Sequence, residues 1–407
     1  MNAMQTREEG APSVYLDHNA TAPLRPEVGQ LWHELTAEGL GNPSSLHASG
    51  RRARDVIDQA RERVAMALGV LEDEVVFTAS GTEANNVALF GRAGALPGDR
   101  SILVGPTEHP SVLAVMDRLE AAGRKIRRLA VDHRGLINLE QLAFLTEQAK
   151  VGLISIQLAN NEVGTVQPLA ELATYSTGDG DGPRPTLHVD AVQALGRLPL
   201  DLGGELRHVD LCSLSMHKVG GPLGVGLLIR RRGLAMAPHL FGGGQEEGLR
   251  PGTENPAAIG AAALAVQLAV RDQQAHAKQV RELTDELFAD LSRELPSLTL
   301  IGPPIEDHAA RLPNTLCLSV DGMDARMLVT RLDLHGIEVS AGSACSSGAV
   351  EASHVLLAMG YDDATSRTGL RFSLGQSTTR SDCKRAVDVL VKVISPSLAT
   401  RDNQADL

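Results

Sequence analysis

A lysine in a glycine-rich segment is the first candidate for covalent chemistry in this chain. Lys218 stands in S-M-H-K-V-G-G-P-L-G, directly after an apolar run that ends at Ser215. Ligands of open α/β sheets bind at the carboxyl ends of the strands, where we expect this lysine to lie. A lysine removed from water loses its proton more easily, and its free amine can then bond to an aldehyde carbon. Taken alone, Lys218 also fits an exposed loop lysine.

A carboxylate at the end of another apolar run strengthens the case for Lys218. Asp190 ends the run L-H-V-D, and Gln193 follows it three residues later. A carboxylate at such a strand end can pair with the pyridine nitrogen of pyridoxal phosphate and keep it protonated, which makes the ring an electron sink. Alone, Asp190 also fits a helix cap. The combination of lysine and carboxylate favours pyridoxal phosphate as the cofactor.

Two segments are suited to binding the cofactor phosphate. Gly81 and Thr82 open a helix in T-A-S-G-T-E, so backbone N–H groups and the positive end of the helix dipole would face an anion. Ser215 and His217, close before Lys218, offer side-chain donors. The S-G-T-E pattern is also typical of an ordinary helix start.

Two further residues are candidates for handling a substrate. Arg371 lies in L-R-F-S-L-G on a predicted strand, where its guanidinium can hold a carboxylate through two hydrogen bonds. A surface ion pair is the competing interpretation of that arginine. Cys345 lies in S-A-G-S-A-C-S-S-G, a run of small residues that predicts an exposed loop and an accessible thiol. The chain has four cysteines without a C-x-x-C pair, which argues against a disulfide scaffold or a zinc ribbon.

Composition excludes several classes of protein. The chain has 407 residues, 43% hydrophobic and 22% charged, as globular proteins do. Its net charge of -12 disfavours direct binding to nucleic acid or to an acidic membrane. The longest apolar stretch, 257–270, is too short to span a bilayer, and the N-terminus lacks the layout of a secretory signal, so we expect a cytoplasmic protein. Glu247 stands where a dinucleotide-binding G-x-G-x-x-G motif needs its last glycine.

The order of the predicted elements indicates an α/β fold. From about Glu74, short β-branched runs alternate with helical patterns, which predicts a mostly parallel sheet with helices on both faces. A long Ala- and Leu-rich helix over about 254–295 is expected to bridge two domains. Later elements predict a small α+β domain. We expect a large cofactor-binding domain over 16–265 and a small domain made of 1–15 and 266–407.

The chain resembles the pyridoxal-phosphate-dependent cysteine desulfurases of the aminotransferase class V family. The resemblance covers nearly all of the chain from residue 15 to about 380, with the motifs in matching order. Its motifs include Y-L-D-H-N-A-T, T-E-H-P-S-V-L, A-N-N-E-V-G-T, H-V-D-A-V-Q, S-M-H-K, G-G-G-Q-E-E-G-L-R-P-G-T-E-N, G-S-A-C-S-S-G and R-F-S-L-G.

The resemblance implies a fold-type-I homodimer with a large seven-stranded sheet domain and a role for each site residue. Lys218 would bond to the cofactor, with His109 stacked on its ring and able to take part in proton transfer. Asp190 would face the ring nitrogen and Gln193 the phenolic oxygen. The remaining roles are phosphate binding by Gly81, Thr82, Ser215 and His217, phosphate binding in the partner subunit by Thr253, substrate carboxylate binding by Arg371 and Asn161, and sulfur acceptance by Cys345.

The activity implied by the resemblance is conversion of L-cysteine to L-alanine, with transfer of sulfur to Cys345 as a persulfide for delivery to an acceptor protein. The long loop around Cys345 resembles the subgroup whose cysteine swings out to a partner. Another lyase or aminotransferase on the same cofactor, such as a selenocysteine lyase, is the alternative within catalysis. A non-catalytic, partner-binding homologue is the alternative from a different class.

Overall fold

A computed structural model describes residues 13–148, 150–177, 184–320, 322–342 and 352–405. Cys345 lies outside these ranges. The strands are β1 (Val14–Tyr15), β2 (Val75–Thr78), β3 (Ser101–Val104), β4 (Ile126–Arg128), β5 (Val151–Gln157), β6 (Thr186–Asp190), β7 (Leu211–Ser215), β8 (Gly226–Arg230), β9 (Leu298–Ile301), β10 (Thr315–Val320), β11 (Ile337–Glu338), β12 (Ser340–Ala341) and β13 (Gly369–Ser373). The α-helices are α1 (Pro26–Ala37), α2 (Ala48–Leu68), α3 (Gly81–Ala95), α4 (Pro110–Ala121), α5 (Leu139–Gln148), α6 (Leu169–Thr177), α7 (Pro256–Glu294), α8 (Ala325–Leu334), α9 (His354–Ala358) and α10 (Arg380–Ala405).

A seven-stranded sheet forms the centre of the larger part of the molecule. Its strand order is β2-β8-β7-β6-β5-β3-β4, and only β8 runs antiparallel to its two neighbours. The other strands therefore end at the same edge, which collects the segments that follow Thr78, Val104, Gln157, Asp190 and Ser215. The predicted α/β class with a mostly parallel sheet is confirmed.

Both faces of this sheet are buried because its strands are apolar on both sides. Every residue of β5, β6 and β7 is buried, as expected for a parallel sheet covered by helices. Neighbouring residues Ile102 and Leu103 belong to different apolar clusters, as do Leu153 and Ile154. The cluster with Leu103 also includes side chains of α2 and α7, whereas the cluster with Ile102 includes side chains of α3 and α4.

A second core surrounds a four-stranded antiparallel sheet of order β12-β13-β10-β9. Side chains from the later part of α7, from α8 and from α10 pack in this core, together with Val14 and Leu16 near the start of the chain. The 39-residue helix α7 runs from one core to the other, with Val266 in the first and Leu287 in the second. The exact boundaries of the two domains, 16–265 and 266–407 with 1–15, remain a prediction.

A buried arginine joins the two parts. Arg311, 1% exposed, donates from Nε to the carbonyl of Pro303 at 3.0 Å and from Nη1 to that of Thr315 at 3.0 Å. The same Nη1 also reaches the carbonyl of Val163 at 3.4 Å, after β5 of the central sheet. Its charge therefore lies among carbonyl oxygens contributed by both cores, as a buried guanidinium requires. In the described ranges, no helix is long and apolar enough to cross a membrane.

Candidate active site

Lys218, the lysine predicted to do covalent chemistry, lies at the edge of the central sheet where the parallel strands end. Strand β7 ends at Ser215, and a single 3₁₀ turn, Met216–Lys218, follows it. Gly220 then adopts φ 77°, and a Cβ atom there would lie 2.5 Å from Cγ of Arg25, so glycine is needed at this close turn. The Nζ of Lys218 donates to the carbonyl oxygens of Asn19 at 2.8 Å and Ala20 at 2.7 Å.

Asn19 connects several of the predicted site residues. Its carbonyl accepts from Lys218 and also from Nε2 of Gln193 at 3.0 Å. Its side-chain Nδ2 donates to the carbonyl of Asn161 at 3.1 Å, and the residue is 1% exposed. Nη1 of Arg371 donates to the same carbonyl of Asn161 at 3.0 Å. One buried asparagine thus joins Lys218, Gln193 and the two residues predicted to bind the substrate carboxylate in a single network.

Asp190 ends β6 and is buried, with 6% of its surface exposed. Its Oδ1 accepts from the backbone N–H of Val192 at 3.0 Å, and its Oδ2 accepts from Nδ2 of Asn85 at 2.8 Å. The carboxylate forms an Asx turn here and does not cap a helix. The pKa of neighbouring Glu108 is raised well above its ordinary value, by burial first and then by the charge of Asp190.

His109 is linked to Asp190 through Ser111 and Asn85. It is the N-cap of α4, and its Nδ1 accepts from the backbone N–H of Ser111 at 3.1 Å. The hydroxyl of Ser111 lies 2.8 Å from the same nitrogen. The pKa of His109 is lowered, by burial first; Asp190 acts against this shift, and Lys218 adds to it. The sequence motif T-E-H-P-S positions this histidine because proline starts the helix directly after it.

The predicted phosphate-binding residues converge beside Lys218. Gly81 is the first residue of α3, and a Cβ atom there would lie 2.9 Å from Val192 Cγ2 and 3.1 Å from Ser215 Cβ. The start of α3 is therefore pressed against the ends of β6 and β7, where a helix N-terminus can hold an anion. His217 Nδ1 lies 3.1 Å from the Thr21 hydroxyl, and burial lowers the pKa of this histidine to about 4.

The residues present fit pyridoxal phosphate. A lysine, a buried carboxylate and a helix N-terminus offer partners for the aldehyde, the ring nitrogen and the phosphate of this cofactor. Within the described ranges, the buried Oε1 of Gln193 and Nε of Arg371 have no hydrogen-bond partner. Buried polar atoms are normally paired, so these two indicate a site built around a ligand.

Arg371 is buried on β13, at 3% exposure, rather than forming a surface pair. Its Nη2 donates to Oδ1 of Asp17 at 2.6 Å, while its Nε remains open. Because β13 belongs to the second sheet, the guanidinium reaches the Lys218 network from the side of the smaller core. Substrate would therefore lie between the two parts of the molecule.

Two predicted residues are not brought into this cluster. Thr253 is exposed, between the end of the glycine-rich segment and α7, and its expected contact with a partner subunit remains a prediction. Cys345 lies outside the described residues. The cysteines that are described, Cys212, Cys317 and Cys383, are buried, and burial raises the pKa of Cys317 and of Cys383 to about 12.

Sequence reasoning missed Asp17, Asn19, Asn85 and Ser111 as site residues. Asp17 and Asn19 lie in Y-L-D-H-N-A-T and Ser111 lies in T-E-H-P-S-V-L, two of the motifs that carry the family resemblance, whereas Asn85 lies in none of them. Carboxylates, amides and hydroxyls of these types are common along the chain, so residue type alone does not single these four out. Only the three-dimensional contacts show that they connect Lys218, Asp190, His109 and Arg371.

Comparisons with known proteins agree with this geometry. A family model described as Aminotransferase class-V matches residues 14–386. Cysteine desulfurase IscS of Dictyoglomus turgidum is 39% identical over 382 residues, covering 94% of this chain and 94% of that protein. A solved structure described as a NifS-like protein has a TM-score of 0.85 at 34% identity and covers 94% of this chain and 99% of its own. Another, titled "SspA in complex with cysteine", has a TM-score of 0.75 at 28% identity, with coverage of 90% and 100%. The chain therefore belongs to the aminotransferase class-V family and, within it, to the cysteine desulfurases.

Proposed function

We propose that this protein is a pyridoxal-phosphate-dependent cysteine desulfurase, which converts L-cysteine to L-alanine and passes the sulfur to an acceptor protein. The observation that carries the proposal is the convergence of Lys218, Asp190 and His109 at one edge of the sheet, with Arg371 reaching the same network. The similarity to cysteine desulfurases, and to a structure titled as a complex with cysteine, supports this substrate.

The cofactor would be held by residues of the described site. Lys218 would bond to it, Asp190 would face its ring nitrogen, and Gln193 would lie near its phenolic oxygen. Its phosphate would be bound by the start of α3, at Gly81 and Thr82, and by Ser215 and His217. When bound, pyridoxal phosphate supplies an electron sink that stabilises negative charge at the substrate α-carbon.

The protein's own residues then position the substrate and move its proton. Arg371 binds the substrate carboxylate, and Asn161, whose carbonyl accepts from Nη1 of Arg371, assists it. The buried carboxylate of Asp190 holds a proton on the ring nitrogen. The Lys218 amine lies just after β7, at the same edge of the sheet as Asp190, and would take the α-proton of the substrate.

Cys345 is the proposed sulfur acceptor. Its thiolate attacks the substrate sulfur, so that an S–S bond forms as the substrate C–S bond breaks. The electron pair of the broken bond remains with the three-carbon product, which takes up protons to become alanine, and the enzyme keeps a persulfide. Burial raises the pKa of the Cys317 and Cys383 thiols to about 12, so both stay protonated at neutral pH and neither competes for this role.

Replacing Cys345 with serine tests the sulfur-transfer step. We expect Cys345→Ser to retain bound cofactor and its visible absorbance but to form no persulfide, with alanine production reduced at least about 100-fold. Mass spectrometry of the protein after one turnover without reductant, together with alanine quantification, makes the measurement. Cys383→Ala is the matched control, and we expect it to form one persulfide per alanine as the unmodified protein does.

Unchanged alanine formation by Cys345→Ser would contradict the sulfur-transfer proposal and favour a lyase in which that cysteine takes no part. Protein that stays colourless after pyridoxal phosphate is added would instead favour a non-catalytic homologue.

We also propose a homodimer. Phe241 is 87% exposed, and Gly242 beside it packs on Pro251, next to exposed Thr253. An apolar side chain beside the predicted cross-subunit phosphate ligand suits a subunit interface. Light scattering should give a mass of twice 43.1 kDa, and a monomer mass at micromolar concentration would contradict the dimer.

A further inference from the structure

A chain of hydrogen bonds connects the two sides of the candidate cofactor site. Asn85 Nδ2 lies 2.8 Å from Oδ2 of Asp190 and 2.9 Å from Oγ of Ser111. Oγ of Ser111 in turn lies 2.8 Å from Nδ1 of His109. Asn85 is 1% exposed and Ser111 is 8% exposed, so water does not compete for these bonds.

The donor and the acceptor of each of these hydrogen bonds can be identified from groups that can only donate. The backbone N–H of Ser111 can only donate, so His109 Nδ1 accepts and carries no proton. The Ser111 hydroxyl must then also donate to Nδ1, which leaves its oxygen free to accept from Asn85. The amide of Asn85 cannot be reversed, because its Oδ1 would then face the carboxylate of Asp190.

This polarity determines the protonation state of His109. With Nδ1 accepting two hydrogen bonds, the single proton of the neutral ring lies on Nε2. A second proton would have to enter at Nδ1, which would break the bond from the backbone N–H of Ser111 and force the Ser111 hydroxyl to turn from donor to acceptor. The surrounding charges are Asp190, which favours a charged ring, and Lys218 and His354, which oppose it, and burial also disfavours charging.

We propose that Asn85 and Ser111 are positioning residues that hold His109 as a neutral Nε2–H hydrogen-bond donor and at the same time orient the Asp190 carboxylate. His109 then has no free lone pair with which to act as a base in the active site. This inference rests on the proposed function. Lys218 alone then removes the substrate α-proton, and His109 donates a hydrogen bond to the cofactor or the substrate.

The tautomer can be measured without any turnover. Long-range proton–nitrogen correlation spectra of ¹⁵N-histidine-labelled protein, with and without pyridoxal phosphate, should show His109 with unprotonated Nδ1 and protonated Nε2. In Ser111→Ala, we expect a tautomer mixture and a titration midpoint that rises by roughly one pH unit, because the neutral ring loses the hydroxyl bond that its Nδ1 accepts. Ser111→Thr, which retains the hydroxyl, should restore the unmodified spectrum.

Asn85→Ala provides an independent test at the other end of the chain. We expect it to shift the His109 nitrogen signals and, in the loaded enzyme, to lower kcat several-fold while KM stays unchanged. Asn86→Ala is the matched control, because Asn86 is the next residue of α3 and bonds only to the carbonyl of Thr82 at 2.8 Å.

Two results would overturn the inference: an Nδ1–H tautomer in the unmodified protein, or His109 signals and midpoint that are the same in Ser111→Ala as in the unmodified protein. Neither result depends on whether the protein consumes cysteine, so failure of this inference is distinguishable from failure of the proposed activity.

Discussion

Lys218→Ala should abolish turnover of L-cysteine, with kcat reduced by roughly 10⁴-fold or more. The variant loses both the amine proposed to bond to the cofactor and the base proposed to take the α-proton. The variant should still bind pyridoxal phosphate, because Asp190 and the start of α3 remain. After borohydride reduction, mass spectrometry should find the cofactor attached to the peptide containing Lys218 in the unmodified protein and unattached in the variant.

Lys150→Ala is the matched control for this experiment. Lys150 is on the surface, with 73% of its side chain exposed, and pairs with Asp99. We expect this variant to match the unmodified protein in turnover and in covalent cofactor content. Reduction that attaches the cofactor to a different lysine, or turnover within tenfold of normal in Lys218→Ala, would refute the assignment.

Asp190→Asn should lower kcat by roughly 10³-fold with little change in KM. Asparagine keeps the size of the side chain but removes the charge proposed to hold a proton on the ring nitrogen, so the electron sink should weaken. The loss should appear in the chemical step rather than in cysteine binding, because Arg371 is untouched. Single-turnover measurements of α-proton exchange with solvent deuterium separate the two steps.

Asp117→Asn serves as the control for charge removal. Asp117 lies on the surface of α4, with 68% of its side chain exposed, in an ion pair with Arg128. Its replacement should leave the rate unchanged and the stability within about 0.5 kcal/mol. If Asp190→Asn retained more than a tenth of the normal kcat, a role for this carboxylate at the ring nitrogen would be untenable.

The ends of the strands could be predicted from the sequence because apolar runs and turn residues alternate clearly. Asp190 and Ser215 each close such a run, and the predicted helix start at Gly81 is confirmed. Parallel strands bring these ends to one edge whatever their separation along the chain. That rule alone placed Lys218 next to Asp190.

The other parts of the site could not be predicted, because they depend on contacts between distant residues that the sequence pattern does not contain. Asn19 reaches Lys218 across 199 positions, and no periodicity encodes such a pair. Strand β4 was missed because its three residues, Ile126–Arg128, include two arginines and lie at the sheet edge. Arg124, just before this strand, bonds to the carbonyls of Leu96 and Pro97 at the end of α3.

The reversed direction of β8 has a consequence for how the lysine is presented. Strands β7 and β8 are antiparallel neighbours, so the ten residues from 216 to 225 form a loop between the paired strand residues Ser215 and Gly226. That loop can form locally, but the amine of Lys218, its third residue, is oriented by the carbonyls of Asn19 and Ala20. We therefore expect that a change which displaces Asn19 and Ala20 would leave the β7–β8 hairpin folded. The Lys218 amine would then lose its orientation.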